Sequence, residues 1–282
     1  MTDRSPTVGL ALGGGGVRGL AHIGVLRVLE REEIPIHYLA GTSMGGIVAA
    51  AYATGFSVAE MEAEALLMRQ PRQLLTLVDR RPPEGGIFRG RALENYLARQ
   101  FGNVTFDQLT VPLALVAVDL HREEKVILCE GRVRDAVRAT AAFPGVFAPV
   151  TRGDQLLVDG GLLDNLPADV VRQMGADVVI AVDVSTKAEV VDLMAEKLYR
   201  QPLVPGSLVS IVEVLWRSVQ VMMHEIDRRC VQAAGTDLVV QPAIPPQVTV
   251  FTGFDRAADV IASGEAAMAD GVPRLRELLG GT

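Results

Sequence analysis

Gly41-Thr42-Ser43-Met44-Gly45 is the stretch on which the reading of this chain turns. It has the form Gly-x-Ser-x-Gly. It stands where an apolar run, Ile34 to Ala40, gives way to a small-residue helix, Met44 to Thr54. A strand, a sharp turn and a helix are what a nucleophile elbow requires. The turn holds the serine in a strained backbone conformation, and Gly41 and Gly45 leave room for it. The helix beginning at Met44 aims its first N–H groups at any oxyanion formed there. The competing reading is an ordinary strand-to-helix turn with Ser43 as N-cap.

A second stretch, Gly13-Gly14-Gly15-Gly16-Val17-Arg18-Gly19, follows a short apolar strand, Val8 to Leu12, and precedes a helical pattern from Leu20 to Arg31. Successive glycines let backbone N–H groups converge on one negative group. A dinucleotide loop through Gly14, Gly16 and Gly19 would place its ribose-binding acid near Glu30 to Glu33, inside a helix rather than at a strand end. A mononucleotide loop would need a lysine that is absent. An oxyanion hole is the reading that makes use of Ser43. A third stretch, Val158-Asp159-Gly160-Gly161, ends the run Gln155 to Val158 and on its own is a plain turn signal.

Taken in order, Gly14-Gly15-Gly16-Val17-Arg18-Gly19, Gly41-Thr42-Ser43-Met44-Gly45 and Asp159-Gly160-Gly161 resemble the patatin-like phospholipase family, in particular bacterial members similar to the catalytic domain of neuropathy target esterase. The block Ala139-Thr140-Ala141-Ala142-Phe143-Pro144-Gly145-Val146-Phe147-Ala148-Pro149 looks like the family's proline-containing segment, with Ala141 where a serine is usual. The similarity runs from about Val8 to Ser185, with a fainter echo from Phe254 to Ala267.

The resemblance implies a Ser–Asp dyad. Ser43 would be the nucleophile and Asp159 the general base. Gly14, Gly15 and Gly16 would supply oxyanion N–H groups together with Met44. Arg18 would brace the loop or meet a substrate phosphate, and Gly19, Gly41, Gly45, Gly160 and Gly161 are the motif glycines. The expected activity is that of a serine esterase, a lipid acyl hydrolase of phospholipase A or lysophospholipase type; the alternative is a non-catalytic lipid-binding or signalling adaptor. The four histidines agree with a dyad. Of them only His224 follows Asp159, as the order of a Ser-His-Asp hydrolase on an α/β sheet would require, and it lies in a helical run without loop signals. His22 reads as a packed helix residue. An aspartate has an ordinary pKa of about 3.9, so the base needs partial desolvation, for which Leu156, Leu157 and Val158 offer an apolar wall.

The 282 residues, 49% apolar and 22% charged, suit one sizeable globular core. Apolar runs of β character recur at Val8–Leu12, Pro112–Leu120, Lys125–Cys129, Gln155–Val158, Asp177–Val184 and Thr236–Val240, with helical patterns between them. Several are apolar throughout, as in a sheet covered on both faces. The expected fold is a three-layer α/β/α sandwich with a mainly parallel sheet, as one domain over residues 1–282 with a motif core at 8–185 and an extension at 186–282. A boundary around Lys187 to Pro205 is the alternative.

Cys129 and Cys230 are too few for a disulfide framework or zinc site, and no cofactor or metal is expected. The segment Ile34 to Ala59 is uncharged, but Pro35 and the central glycines read as a buried strand–turn–helix rather than a membrane span. The N-terminus carries no secretory pattern, so a cytoplasmic protein, peripheral at the membrane, is expected. A net charge of −7 with three lysines disfavours nucleic acid and purely electrostatic lipid binding. The expected partner is a phospholipid or lysophospholipid, met through transient contact with a membrane surface. Between Ser207 and Ile226, Leu208, Ile211, Val212, Leu215, Trp216, Val219, Met222, Met223 and Ile226 form a helical stripe. Such a stripe reads first as core and otherwise as a mobile cover over an acyl-chain groove. Met68 to Phe88 is a second lid candidate.

Overall fold

Apolar runs that alternate large and small side chains build the sheet. The structure, a computed structural model, describes residues 5–70, 72–73, 86–88, 90–185 and 206–280. Five strands run parallel: β1 (Val8–Leu12), β2 (Tyr38–Thr42), β4 (Leu113–Asp119), β9 (Val178–Val182) and β10 (Leu238–Val240). Three more are antiparallel to their neighbours: β5 (Glu124–Leu128), β7 (Val150–Arg152) and β8 (Gln155–Asp159). The order along the sheet is β10-β9-β1-β2-β4-β8-β7, with β5 also paired to β4. A separate two-stranded parallel sheet joins β3 (Gly86–Phe88) to β6 (Gly145–Phe147).

The two faces differ in side-chain size, and this sets the layers. Leu10, Leu12, Leu39, Leu113, Leu115, Ile180 and Val182 enter one core with α1 (Ala21–Arg31), α2 (Met44–Ala53), α3 (Val58–Leu67), α4 (Arg91–Phe101), α5 (Val133–Thr140) and α8 (Ala257–Leu278). Ala11, Ala40, Ala114, Val116, Val179 and Ala181 face a second, thinner core with α6 (Ala168–Gln173) and the end of α7 (Gly206–Ala233). Small residues on that face let α6 approach closely. A Cβ on Gly9 would lie 2.9 Å from the Val171 Cβ on α6. The three-layer α/β/α arrangement is thus present, and full burial of each Leu, Ile or Val contributes about 1.5–3 kcal/mol.

The strands differ in detail from the apolar runs. β2 starts at Tyr38 rather than Ile34, because Pro35 withholds a donor and His37 takes up the approach instead. The His37 N–H donates to the Val8 carbonyl at 2.8 Å, and its Nδ1 accepts from the Val8 N–H at 3.0 Å. β3, β6 and β7 were not foreseen; three residues are too few to show a period.

The register around β4 decides where the site forms. Leu115 and Val116 pair with both β2 and β5, so these two lie on opposite edges of β4. Ala117, Val118 and Asp119 pair with both β5 and β8, so β8 lies on the β2 edge. β2 runs parallel to β4 and ends at Thr42 opposite Val116. β8 runs antiparallel and ends at Asp159 opposite Ala117. The carboxyl ends of β2 and β8 therefore meet head to head.

The apolar stripe on α7 is not simply core. Leu215 is 61% and Met222 57% exposed, while Val219, Met223 and Ile226 are half-buried. The helix lies across the sheet's carboxyl end and turns only one side inward. The side chains of Leu208, Ile211, Val212 and Trp216, the Lys187–Pro205 boundary and most of the Met68–Phe88 region lie outside the described residues. Among the described residues no helix is long and apolar enough to cross a membrane, and no group of three or more His, Cys, Asp or Glu could hold a metal ion.

Candidate active site

Ser43 follows the last residue of β2 and precedes α2, with φ 54° and ψ −123°. This left-handed conformation is costly for a non-glycine residue and persists only where the surroundings enforce it. They do so from several sides. The Ser43 N–H donates to Thr140 Oγ1 at 3.0 Å, and Thr140 Oγ1 donates to the Val116 carbonyl at 2.5 Å. The Thr42 hydroxyl donates to the Asp164 carbonyl at 2.8 Å. The motif glycines permit close backbone approach. A Cβ on Gly41 would lie 2.6 Å from the Gly45 carbonyl oxygen, and one on Gly45 would run into the Leu12 carbonyl.

Asp159 ends β8 and is almost fully buried. Its N–H donates to the Ala142 carbonyl at 3.0 Å, and its Oδ1 accepts from the Gly161 N–H at 2.8 Å. Burial pushes the carboxyl up to about 6, opposed by hydrogen bonding from Ser43 and from the Gly161 backbone. Among the described residues no hydrogen-bond partner reaches Oδ2. Ser43 and Asp159 line one cavity of about 50 Å³ together with Gly14, Gly15, Gly16 and Gly161. Gly160 is fixed by contact: a Cβ there would collide with the Val116 carbonyl.

The glycine loop is tied down at one end and open at the other. Gly13 donates to the Val182 carbonyl at 3.1 Å and Gly14 to the Asn165 carbonyl at 3.0 Å. The Gly14 N–H is therefore committed to Asn165, which corrects its reading as an oxyanion donor. Gly14 instead allows close approach, since a Cβ there would lie 3.1 Å from the Ser43 Cβ. Among the described residues no protein acceptor takes the N–H of Gly15, Gly16 or Met44. Gly19 packs on Met44, whose Cγ would lie 2.5 Å from an added Cβ.

Arg18 is 4% exposed. Its guanidinium donates to the carbonyls of Val184 at 2.9 Å, Ser185 at 3.1 Å and Val248 at 3.3 Å. These bonds tie Arg18 to the strand end after β9 and to the segment at Val248. His22 lies beneath the loop, fully buried, with Nε2 2.7 Å from the Gly13 carbonyl oxygen. Burial drives it down to about 4, so it stays neutral and donates from Nε2. His121 is exposed, and its Nδ1 lies 2.9 Å from the Asp154 carbonyl oxygen. His224 is exposed on α7 yet borders the Ser43 cavity, beside Gln220, Met223 and Asp227.

Two residues of the site escaped sequence reasoning. Asn165 accepts from Gly14 on its carbonyl, donates from Nδ2 to the Gly14 carbonyl at 3.2 Å, and donates its N–H to Asp227 Oδ1 at 2.9 Å. It joins the glycine loop, the segment after Asp159 and α7. Burial pushes the Asp227 carboxyl up to about 7, opposed by that N–H. Thr140 is the other. Neither carries chemistry of its own, and the signal in sequence is only proximity to the Asp-Gly-Gly turn and the Phe143-Pro144 segment.

A patatin-like phospholipase family model matches residues 10–172, which hold both halves of this site. The chain belongs to the patatin-like phospholipase family. An NTE family protein of Mycobacterium tuberculosis is 39% identical over 181 residues, covering 64% of this chain and 50% of that protein. Human patatin-like phospholipase domain-containing protein 6 is 34% identical over 187 residues, covering 65% of this chain and 14% of that protein. This patatin-like chain thus matches half or less of either relative. The crystal structure of VipD from Legionella pneumophila superposes with a TM-score of 0.51 at 13% identity, covering 98% of this chain and 67% of VipD, a likeness of fold alone.

Proposed function

We propose that this chain is a serine esterase that cleaves acyl esters of phospholipids or lysophospholipids. The observation that carries the reading is the head-to-head meeting of β2 and β8, which sets a strained Ser43 and a buried, proton-seeking Asp159 on one cavity. Ser43 Oγ attacks the ester carbonyl carbon while Asp159 takes its proton. The oxyanion faces the N–H groups of Gly15, Gly16 and Met44; loss of one such donor costs about 2.7–4 kcal/mol. The tetrahedral intermediate collapses, the C–O bond to the alcohol breaks, and Asp159 returns the proton to the alcohol. Water, deprotonated by Asp159, then attacks the acyl-enzyme, and the fatty acid leaves as Ser43 regains its proton.

Exposed apolar side chains on α7, Val214, Leu215, Val221 and Met222, support contact with a membrane surface. Ser43→Ala and Asp159→Asn are each expected to abolish hydrolysis of a p-nitrophenyl acyl ester with circular dichroism unchanged. His224→Ala is expected to lower kcat/KM less than tenfold, because nothing joins its ring to Asp159. A fluorophosphonate should label the wild type and fail on Ser43→Ala. An unlabelled wild type would leave the lipid-binding adaptor as the better reading.

A further inference from the structure

Apart from the Ser43 cavity, the helical layer holds an apolar cleft of about 150 Å³ between α1, α2, α3 and α4. Among the described residues its polar lining is Glu64, Tyr96 and Gln100. The cleft is half open, so its apolar lining faces water, and an apolar occupant would remove that surface from water.

Its position says which. Met44 lines the cleft, while its neighbour Ser43 lines the catalytic cavity. Farther along the chain Val250 borders the catalytic cavity and Phe254 the cleft. Consecutive residues, Ser43 and Met44, thus line the two spaces, and a short stretch from Val250 to Phe254 runs from one to the other. Met61 and Met68 line the cleft as well. Unbranched thioether side chains adapt to occupants of varied shape, so three of them suit a flexible chain better than a fixed ring.

We propose, resting on the esterase reading, that this cleft receives the acyl chain of the ester bound at Ser43, and that the seam between α3 and α4 limits the chain's length. At that seam the Tyr96 hydroxyl donates to Glu64 Oε1 at 2.9 Å. An acyl chain reaching it would desolvate both polar groups and offer nothing in return. Ala51 on α2 and Ala65 on α3 also line the cleft, so a larger side chain at either fills the space the acyl chain would take.

The test measures kcat/KM across p-nitrophenyl esters from acetate to palmitate. The wild type should rise from acetate to a medium-chain optimum, since each methylene buried in a pocket is worth roughly fourfold. Ala51→Phe and Ala65→Phe should each lower the ratio of optimum-chain to acetate turnover at least tenfold, a ratio that a merely unstable variant would not change. Tyr96→Ala should move the optimum to longer chains, a gain that misfolding cannot mimic. An active wild type whose chain-length profile is unchanged in all three variants overturns the assignment and leaves the esterase reading standing. A wild type inactive on every ester overturns the esterase reading instead. Decanoate binding by calorimetry then decides the cleft. Binding weakened tenfold by Ala51→Phe keeps it as an acyl site, and absent or unaltered binding removes it.

Discussion

Asp159 has been given a proton affinity unlike that of an exposed carboxylate, and two measurable consequences follow from its sign. In the proposed role of general base it must be ionised, so kcat/KM should climb with pH through about 6 and level off above. A profile flat between pH 5 and 7 would contradict the role. In stability the effect reverses. The folded chain binds the proton more tightly than the unfolded chain, whose carboxyl lies near 3.8, so stability falls as pH rises from about 4 to about 6. Asp159→Asn should therefore be more stable than wild type at pH 8 by on the order of 2–3 kcal/mol, with the advantage gone below pH 4, as read by urea melts. The settings of Ser43 at a strand-to-helix turn and of Asp159 at a strand end were legible because each stands in a glycine-flanked motif after an apolar run. Asn165 and Thr140 were not, because each acts by holding backbone that only the folded chain brings near.

Glycine contacts at the strand-to-helix junction leave little tolerance. At Gly45 a methyl would strike the Leu12 carbonyl, and backbone cannot move aside as a flexible side chain can. Gly45→Ala should lose about 1–3 kcal/mol, seen as a fall in the urea midpoint. A milder change tests α3, which walls the apolar cleft. Ser57 caps it in a reciprocal pair with Glu60, accepting from the Glu60 N–H at 3.3 Å while Glu60 Oε2 accepts from the Ser57 N–H at 2.9 Å. Ser57→Ala should cost about 1 kcal/mol and lower Tm by about 2–4 °C. The parallel strands were readable from their unbroken apolar runs. The antiparallel setting of β8 was not, because Gln155 to Val158 has the same composition whichever way it points. The stripe on α7 misled because an apolar face looks alike whether it meets a core or water.

At the scale of the molecule, the C-terminal region is structural to the whole. α8 crosses α1 where Gly24 and Gly264 allow the two backbones to touch, so that a Cβ on Gly264 would collide with the Ala21 carbonyl. Val260, Ile261, Met268 and Leu275 are buried there, and β10 extends the main sheet beyond β9. A chain ending at Ser185, although it keeps every motif, should fail to fold cooperatively in a calorimetric melt; a cooperative transition in it would show that residues 1–185 stand alone. This closure was only faintly legible, since it depends on two glycines far apart in sequence. The meeting of β2 and β8 on one edge of β4 has a further consequence. The central strand works as a ruler, setting the gap between Ser43 and Asp159, which no short loop connects. Its graduations are about 3.3 Å. A one-step slip of either neighbour along it would turn the affected strand over and carry Ser43 or Asp159 out of the space they share.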